Sequence, residues 1–135
     1  MWLVDHGSAI NAPPIRSAAD AAHLLGDGLS RRRREALVIV HLDERRRPIA
    51  IARQVGKHDS LDLELADIVR DACQLGSRQL LIAHNHPSGD PMPSLTDRIA
   101  TRRLAELMRL LGIELIDHLI FAKGGIVSFR GLGLL

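Results

Sequence analysis

The chain has 135 residues, of which 46% are apolar and 25% charged, the composition of one globular domain and not of a disordered or fibrous chain. A single cysteine, Cys73, excludes an intrachain disulfide and every multi-cysteine zinc ribbon or finger. A net charge of +2 and 2% aromatic residues argue against a strongly basic nucleic-acid surface or a base-stacking platform.

Residues 1–15 show no periodicity and carry Asn11, Pro13 and Pro14, which reads as an N-terminal arm ahead of one domain over residues 16–135. Ser17 is placed to cap a short helix through Leu25, stopped by Gly26 and Gly28. Arg31, Arg32, Arg33 and Arg34 follow. With Arg45, Arg46 and Arg47 they read as solvated runs beside strand ends. Residues 35–42 and 47–55 are β-rich around a turn at 43–46, which predicts a hairpin. Ser60 opens the next helix, with Asp62 and Glu64 in its first turn. Leu61, Leu65, Ile68, Val69, Ala72 and Leu75 then follow at helical spacing, and Gly76 ends the element. Residues 80–84 form a short apolar strand. Ser94 caps a long helix to Leu111, closed by Gly112. Residues 114–122 and 126–130 form a last hairpin turning at Gly124 and Gly125. The order α-β-β-α-β-α-β-β predicts an α/β fold, a three-layer α/β/α arrangement with a mixed sheet and helices on both faces.

No apolar run approaches the length of a membrane span. The N-terminus has no basic segment followed by an apolar one, so a cytoplasmic protein without membrane contact is expected.

The chemistry concentrates in residues 84–97, which read HNHPSGDPMPSLTD. Two histidines two apart on a strand share a face, with Cα atoms roughly 6.6 Å apart. Their imidazoles can lean onto one ion at about 2.0–2.1 Å each. Pro87, Pro91 and Pro93 stiffen the loop that follows, which lowers the entropy lost in holding a site. Asp97 lies in the first turn of the next helix, where the helix dipole favours its carboxylate. Strand end and helix start can therefore present two nitrogens and one oxygen to a cation. Three protein ligands leave a fourth position for water, the catalytic pattern for zinc. Taken alone, Ser94 and Asp97 also make an ordinary capping pair.

His84-x-His86-Pro87, six residues, then Ser94-x-x-Asp97 resembles the metal signature of the JAMM/MPN+ (JAB-type) zinc metallohydrolases. The fuller string from Ala83 to Ser94, with the later Asp117-His118-Leu119-Ile120, is similar to the RadC branch, and the likeness extends over about residues 16–130. The resemblance implies the JAB/MPN architecture, related to that of cytidine deaminases. It implies a Zn²⁺ ion held by His84, His86 and Asp97 together with a water. Glu35, directly before the first long strand, would be the general base, and Ser94 would hydrogen-bond the developing oxyanion. The reaction implied is attack of activated water on a peptide or isopeptide carbonyl. The sequence departs from the family in two respects. It has no room for the helical, helix-hairpin-helix-like N-terminal domain that RadC proteins commonly carry, and KHDSLDLE at residues 57–64 replaces the usual Pro-Arg-Glu signature. His58 reads as a solvated loop residue, and His118 as a hydrogen-bonded support.

A protein or peptide substrate is expected. Two further readings stand beside this one: a DNA-associated protein, as the RadC name suggests, and an inactive metal-binding interaction module. An HNH nuclease fails because its residues are dispersed over a larger element. A deaminase would need His-x-Glu and Pro-Cys-x-x-Cys. The run Ala36-Leu37-Val38-Ile39-Val40, as an edge strand, could pair two subunits into a homodimer.

Overall fold

The computed structural model describes residues 2–7, 11–25, 29, 31–54 and 65–135. They form strands β1 (Trp2–Asp5), β2 (Leu37–Leu42), β3 (Pro48–Gln54), β4 (Gln79–Asn85), β5 (Glu114–Ala122) and β6 (Gly125–Ser128). The helices are α1 (Ala18–Leu25), α2 (Leu65–Leu75) and α3 (Leu95–Leu110). All six strands belong to one sheet in the order β1-β3-β2-β4-β5-β6. Only β4 and β5 run parallel; the other neighbours are antiparallel. The mixed sheet follows from the connections. Tight turns join β2 to β3 and β5 to β6, whereas β4 reaches its parallel partner β5 only through a crossover, which is α3.

The central strands are apolar on both faces, as expected where helices cover a sheet on either side. Val38, Val40, Leu42, Leu81 and Ala83 pack with Ala21 of α1. The alternate residues Ile39, Leu80 and Ile82 pack with Ile68 and Ala72 of α2 and Leu104 and Met108 of α3. The fold is therefore α/β with helices on both faces. Local signals set the helix ends. Ser17 Oγ accepts the Asp20 N–H at 3.1 Å, while an Asp20 oxygen accepts the Arg16 N–H at 2.8 Å. The Ser17 hydroxyl satisfies a donor that the first turn leaves without a partner, and the Asp20 carboxylate fastens the residue ahead of the cap.

Two expectations need correction. Residues 2–5, read as part of an arm, form the edge strand β1, which pairs with Ile51, Ala52, Arg53 and Gln54 of β3. Four residues are too few to display a period of two, so only the pairing partner reveals the strand. The apolar run 36–40, read as a possible edge for dimerisation, contributes to β2, which lies between β3 and β4. Its backbone is already paired on both sides, and the edges of the sheet are β1 and β6. The expected start of the second helix at Ser60, with Asp62 and Glu64, and the loop residue His58 lie outside the described residues.

His41 on β2 is buried, with its Nδ1 2.8 Å from Ser77 Oγ. Burial pushes its pKa down to about 4, and nearby His6 acts in the same direction. An unfolded histidine takes up its proton near pH 6.5. Between pH 6.5 and 4 the unfolded chain therefore binds a proton that folded His41 refuses, and stability falls as the pH falls through that window. One such group contributes a slope of at most about 1.4 kcal/mol per pH unit. Urea unfolding midpoints at pH 7.5 and pH 5 are expected to drop in the wild type and to drop less in His41→Gln.

Candidate metal centre

His84 occupies the penultimate position of β4. Its Cα partners are Leu37 on β2 and Ile120 on β5. The strand ladder extends one bond beyond β4, because His86 donates its N–H to Phe121 O at 2.9 Å. His84 and His86 consequently keep the two-residue alternation and project from one face, with their Nε2 atoms 2.9 Å apart. The intervening loop returns the chain to α3, where Ser94 is the N-cap. Ser94 Oγ accepts the Asp97 N–H at 3.0 Å, and Asp97 Oδ2 accepts the Ser94 N–H at 2.9 Å. This capping box fixes the Asp97 carboxylate 3.2 Å from His86 Nε2 and 3.6 Å from His84 Nε2. One ligand atom from each of the three residues lies within 4.8 Å of the others. Cap and candidate ligand are one structure here, not alternatives.

The donor set fits a divalent cation. His86 Nδ1 is 2.9 Å from Asp90 O. A carbonyl can only accept, so Nδ1 carries a proton, and the neutral form of His86 has its lone pair on Nε2, the atom that faces His84 and Asp97. Burial lowers the His84 pKa to about 4; Asp97 opposes the shift and His86 adds to it. At neutral pH His84 is uncharged, so its contact with Asp97 is not an ion pair. An uncharged His84 imidazole thus converges with the His86 imidazole and the Asp97 carboxylate. Ligands about 2.0–2.1 Å from a tetrahedral zinc lie roughly 3.3 Å from one another. The three separations of 2.9, 3.2 and 3.6 Å bracket that value.

Behind His84 the site is built by buried polar groups. His84 Nδ1 lies 2.6 Å from His118 Nε2, and His118 Nδ1 lies 2.7 Å from Thr101 Oγ1. His118 is 1% exposed and Thr101 also 1%, and Phe129 stacks on the His118 ring at 4.4 Å. Burial, then His84 and His86, push the His118 pKa well below its ordinary value. His118 therefore supports the site and does not join the ligand cluster, as its sequence context suggested. Thr101 was not singled out from the sequence. Its signal is a hydroxyl one helical turn after Asp97, on the same side of α3.

Asn85, between the two histidines, faces the other way and is fully buried. Its Oδ1 accepts the Ala36 N–H at 2.6 Å, and its Nδ2 donates to Arg32 O at 3.2 Å and Arg34 O at 3.0 Å. Asn85 therefore ties the segment carrying Glu35 to the metal strand. Glu35 itself is exposed and is not part of the ligand cluster. With Leu37 opposite His84 in the sheet, Glu35 enters β2 at the end where His86 leaves β4. Asn85→Ala would strip these backbone groups of their partner, and each buried polar group so left costs about 1–3 kcal/mol. A loss of about 2–3 kcal/mol in urea unfolding is expected, with faster proteolysis within residues 31–36.

The RadC-like JAB domain family model matches residues 15–134. The chain belongs to the RadC-like JAB domain family. A UPF0758 protein of Chloroflexus aurantiacus is 39% identical over 122 residues, which cover 90% of this chain and 53% of that protein. A UPF0758 protein of Roseiflexus castenholzii is 38% identical over 89% of this chain and 52% of its own length. A UPF0758 protein of Xanthomonas axonopodis is 33% identical over the whole chain and 58% of its own length. This RadC-like JAB domain thus spans about half the length of the curated relatives it matches. Among its described residues, no helix is long and apolar enough to cross a membrane.

Proposed function

We propose that this RadC-like JAB domain is a zinc-dependent hydrolase of the JAMM type that cleaves a peptide or isopeptide bond. The observation that carries the reading is the convergence of His84 Nε2, His86 Nε2 and an Asp97 oxygen at the end of the sheet, close to where Glu35 enters it. A zinc ion held by these three residues would act as a Lewis acid toward the carbonyl and lower the pKa of a water to about 7.

The chain's own residues then divide the remaining work. Glu35 takes a proton from the water as its oxygen bonds to the carbonyl carbon, and returns a proton to the amine nitrogen as the C–N bond breaks. Ser94 Oγ accepts the Asp97 N–H, which leaves its hydroxyl proton to donate to the carbonyl oxygen as that oxygen gains charge. His84 and His86 would hold the ion through their Nε2 atoms.

The test uses the purified domain, freed of metal and then reconstituted with one equivalent of zinc. A mixed peptide pool and isopeptide-linked conjugates are analysed by mass spectrometry for new termini. Cleavage that disappears with chelator and returns with zinc supports the reading. A zinc-loaded protein that leaves every substrate intact, while retaining one ion per chain, replaces it with the inactive metal-binding module.

A further inference from the structure

The hydrogen bonds behind His84 have only one consistent direction. Thr101 Oγ1 is 2.6 Å from the Asp97 backbone oxygen. That carbonyl can only accept, so the single hydroxyl proton of Thr101 is committed to it. Thr101 Oγ1 must then accept from His118 Nδ1, 2.7 Å away. A neutral His118 that carries its proton on Nδ1 offers a lone pair at Nε2, and that lone pair accepts from His84 Nδ1 at 2.6 Å. His84 is left with its lone pair on Nε2, the atom that faces His86 and Asp97. The opposite proton arrangement would put two hydrogens between Thr101 and His118 or leave two oxygens, Thr101 Oγ1 and Asp97 O, 2.6 Å apart with no proton between them.

We propose that Thr101 and His118 are positioning residues that hold His84 in the Nδ1–H tautomer, so that the site presents a ready lone pair to the metal. The relay begins at the backbone oxygen of Asp97 and ends at His84, two residues assigned as ligands, so one ring of contacts orients both the helix start and the strand end. Phe129, stacked on His118 with an interplanar angle of 11°, keeps the His118 ring in the plane the relay needs. Partners of this kind behind a ligating histidine typically govern metal affinity 10–100-fold. This inference rests on the metal reading of the site, yet it makes a claim about the metal-free protein too.

Thr101→Val keeps the shape of the side chain and removes the hydroxyl. His118 is then free to move its proton to Nε2 and to donate to His84 Nδ1, which drives the His84 proton onto Nε2, where a metal must bind. Thr101→Ser restores the hydroxyl. Long-range ¹H–¹⁵N spectra of the metal-free proteins are expected to show His84 protonated at Nδ1 in the wild type and Thr101→Ser, with the Nε2–H form growing in Thr101→Val. Zinc affinity, measured by chelator competition, is expected to fall about 10–100-fold in Thr101→Val and to recover in Thr101→Ser. A wild-type His84 protonated at Nε2 overturns the proposal without any variant. So does a Thr101→Ser protein as weak as Thr101→Val, because that result assigns the loss to packing. If the wild type binds no zinc, the metal reading fails by itself and the tautomer spectra alone decide the relay.

Discussion

Asp97→Asn is expected to abolish stoichiometric zinc binding while leaving the fold intact. An asparagine oxygen can still accept the Ser94 N–H that Asp97 Oδ2 now accepts at 2.9 Å, so the start of α3 keeps its cap. The charge and the anionic oxygen facing His84 and His86 are lost, and two imidazoles alone cannot hold the ion against water. His84→Ala is expected to do the same at a higher cost in stability, because it also leaves the buried His118 Nε2 without its partner. Metal content by plasma emission after extensive dialysis, paired with urea unfolding, separates the two effects. One zinc per chain retained in both variants would remove these residues as ligands. Ser94→Ala provides the contrast: a lost N-cap costs about 1 kcal/mol, and zinc should remain.

Glu35→Gln is expected to leave zinc affinity unchanged and to lower turnover about 10²–10⁴-fold, the usual contribution of general acid–base catalysis. The contrast with Asp97 follows from position. Asp97 lies within the ligand cluster, whereas Glu35 is exposed and outside it. Were Glu35 merely a partner of the neighbouring arginines, the change would be worth at most about 1 kcal/mol, and turnover would move by no more than a few-fold. A zinc-loaded Glu35→Gln protein with intact turnover therefore takes Glu35 out of the reaction and leaves the metal site standing.

Much of this site is legible before any fold is known, because its three candidate ligands lie within fourteen residues. His84 and His86 obey the alternation of a strand, and Ser94 and Asp97 obey the spacing of a helix cap. Both are rules of short range, and the loop between them is short enough to bring its ends together. The same holds for α3 and the hairpin of β5 and β6, where capping residues and the Gly124–Gly125 turn mark the boundaries. Gly124 also shows where locality ends. A Cβ there would stand 3.0 Å from Gly89 O, and nothing near Gly124 in the chain announces that the ligand loop passes so close.

The residues alone therefore determine an α/β domain, the apolar strands at its centre and a His-His-Asp set at a strand-to-helix junction. Tertiary structure decides what surrounds that set. Asn85 reaches Ala36, 49 positions away; His84 reaches His118 across 34; and Thr101 meets His118 across 17. The first two contacts exist because β4 lies between β2 and β5, and the third because α3 packs against β5, arrangements that no local period encodes. Strand β1 was hidden for the same reason, since its partner β3 lies some fifty residues on. Periodicity records which face of an element is apolar, but the neighbour against which a polar atom is buried depends on how separate elements assemble.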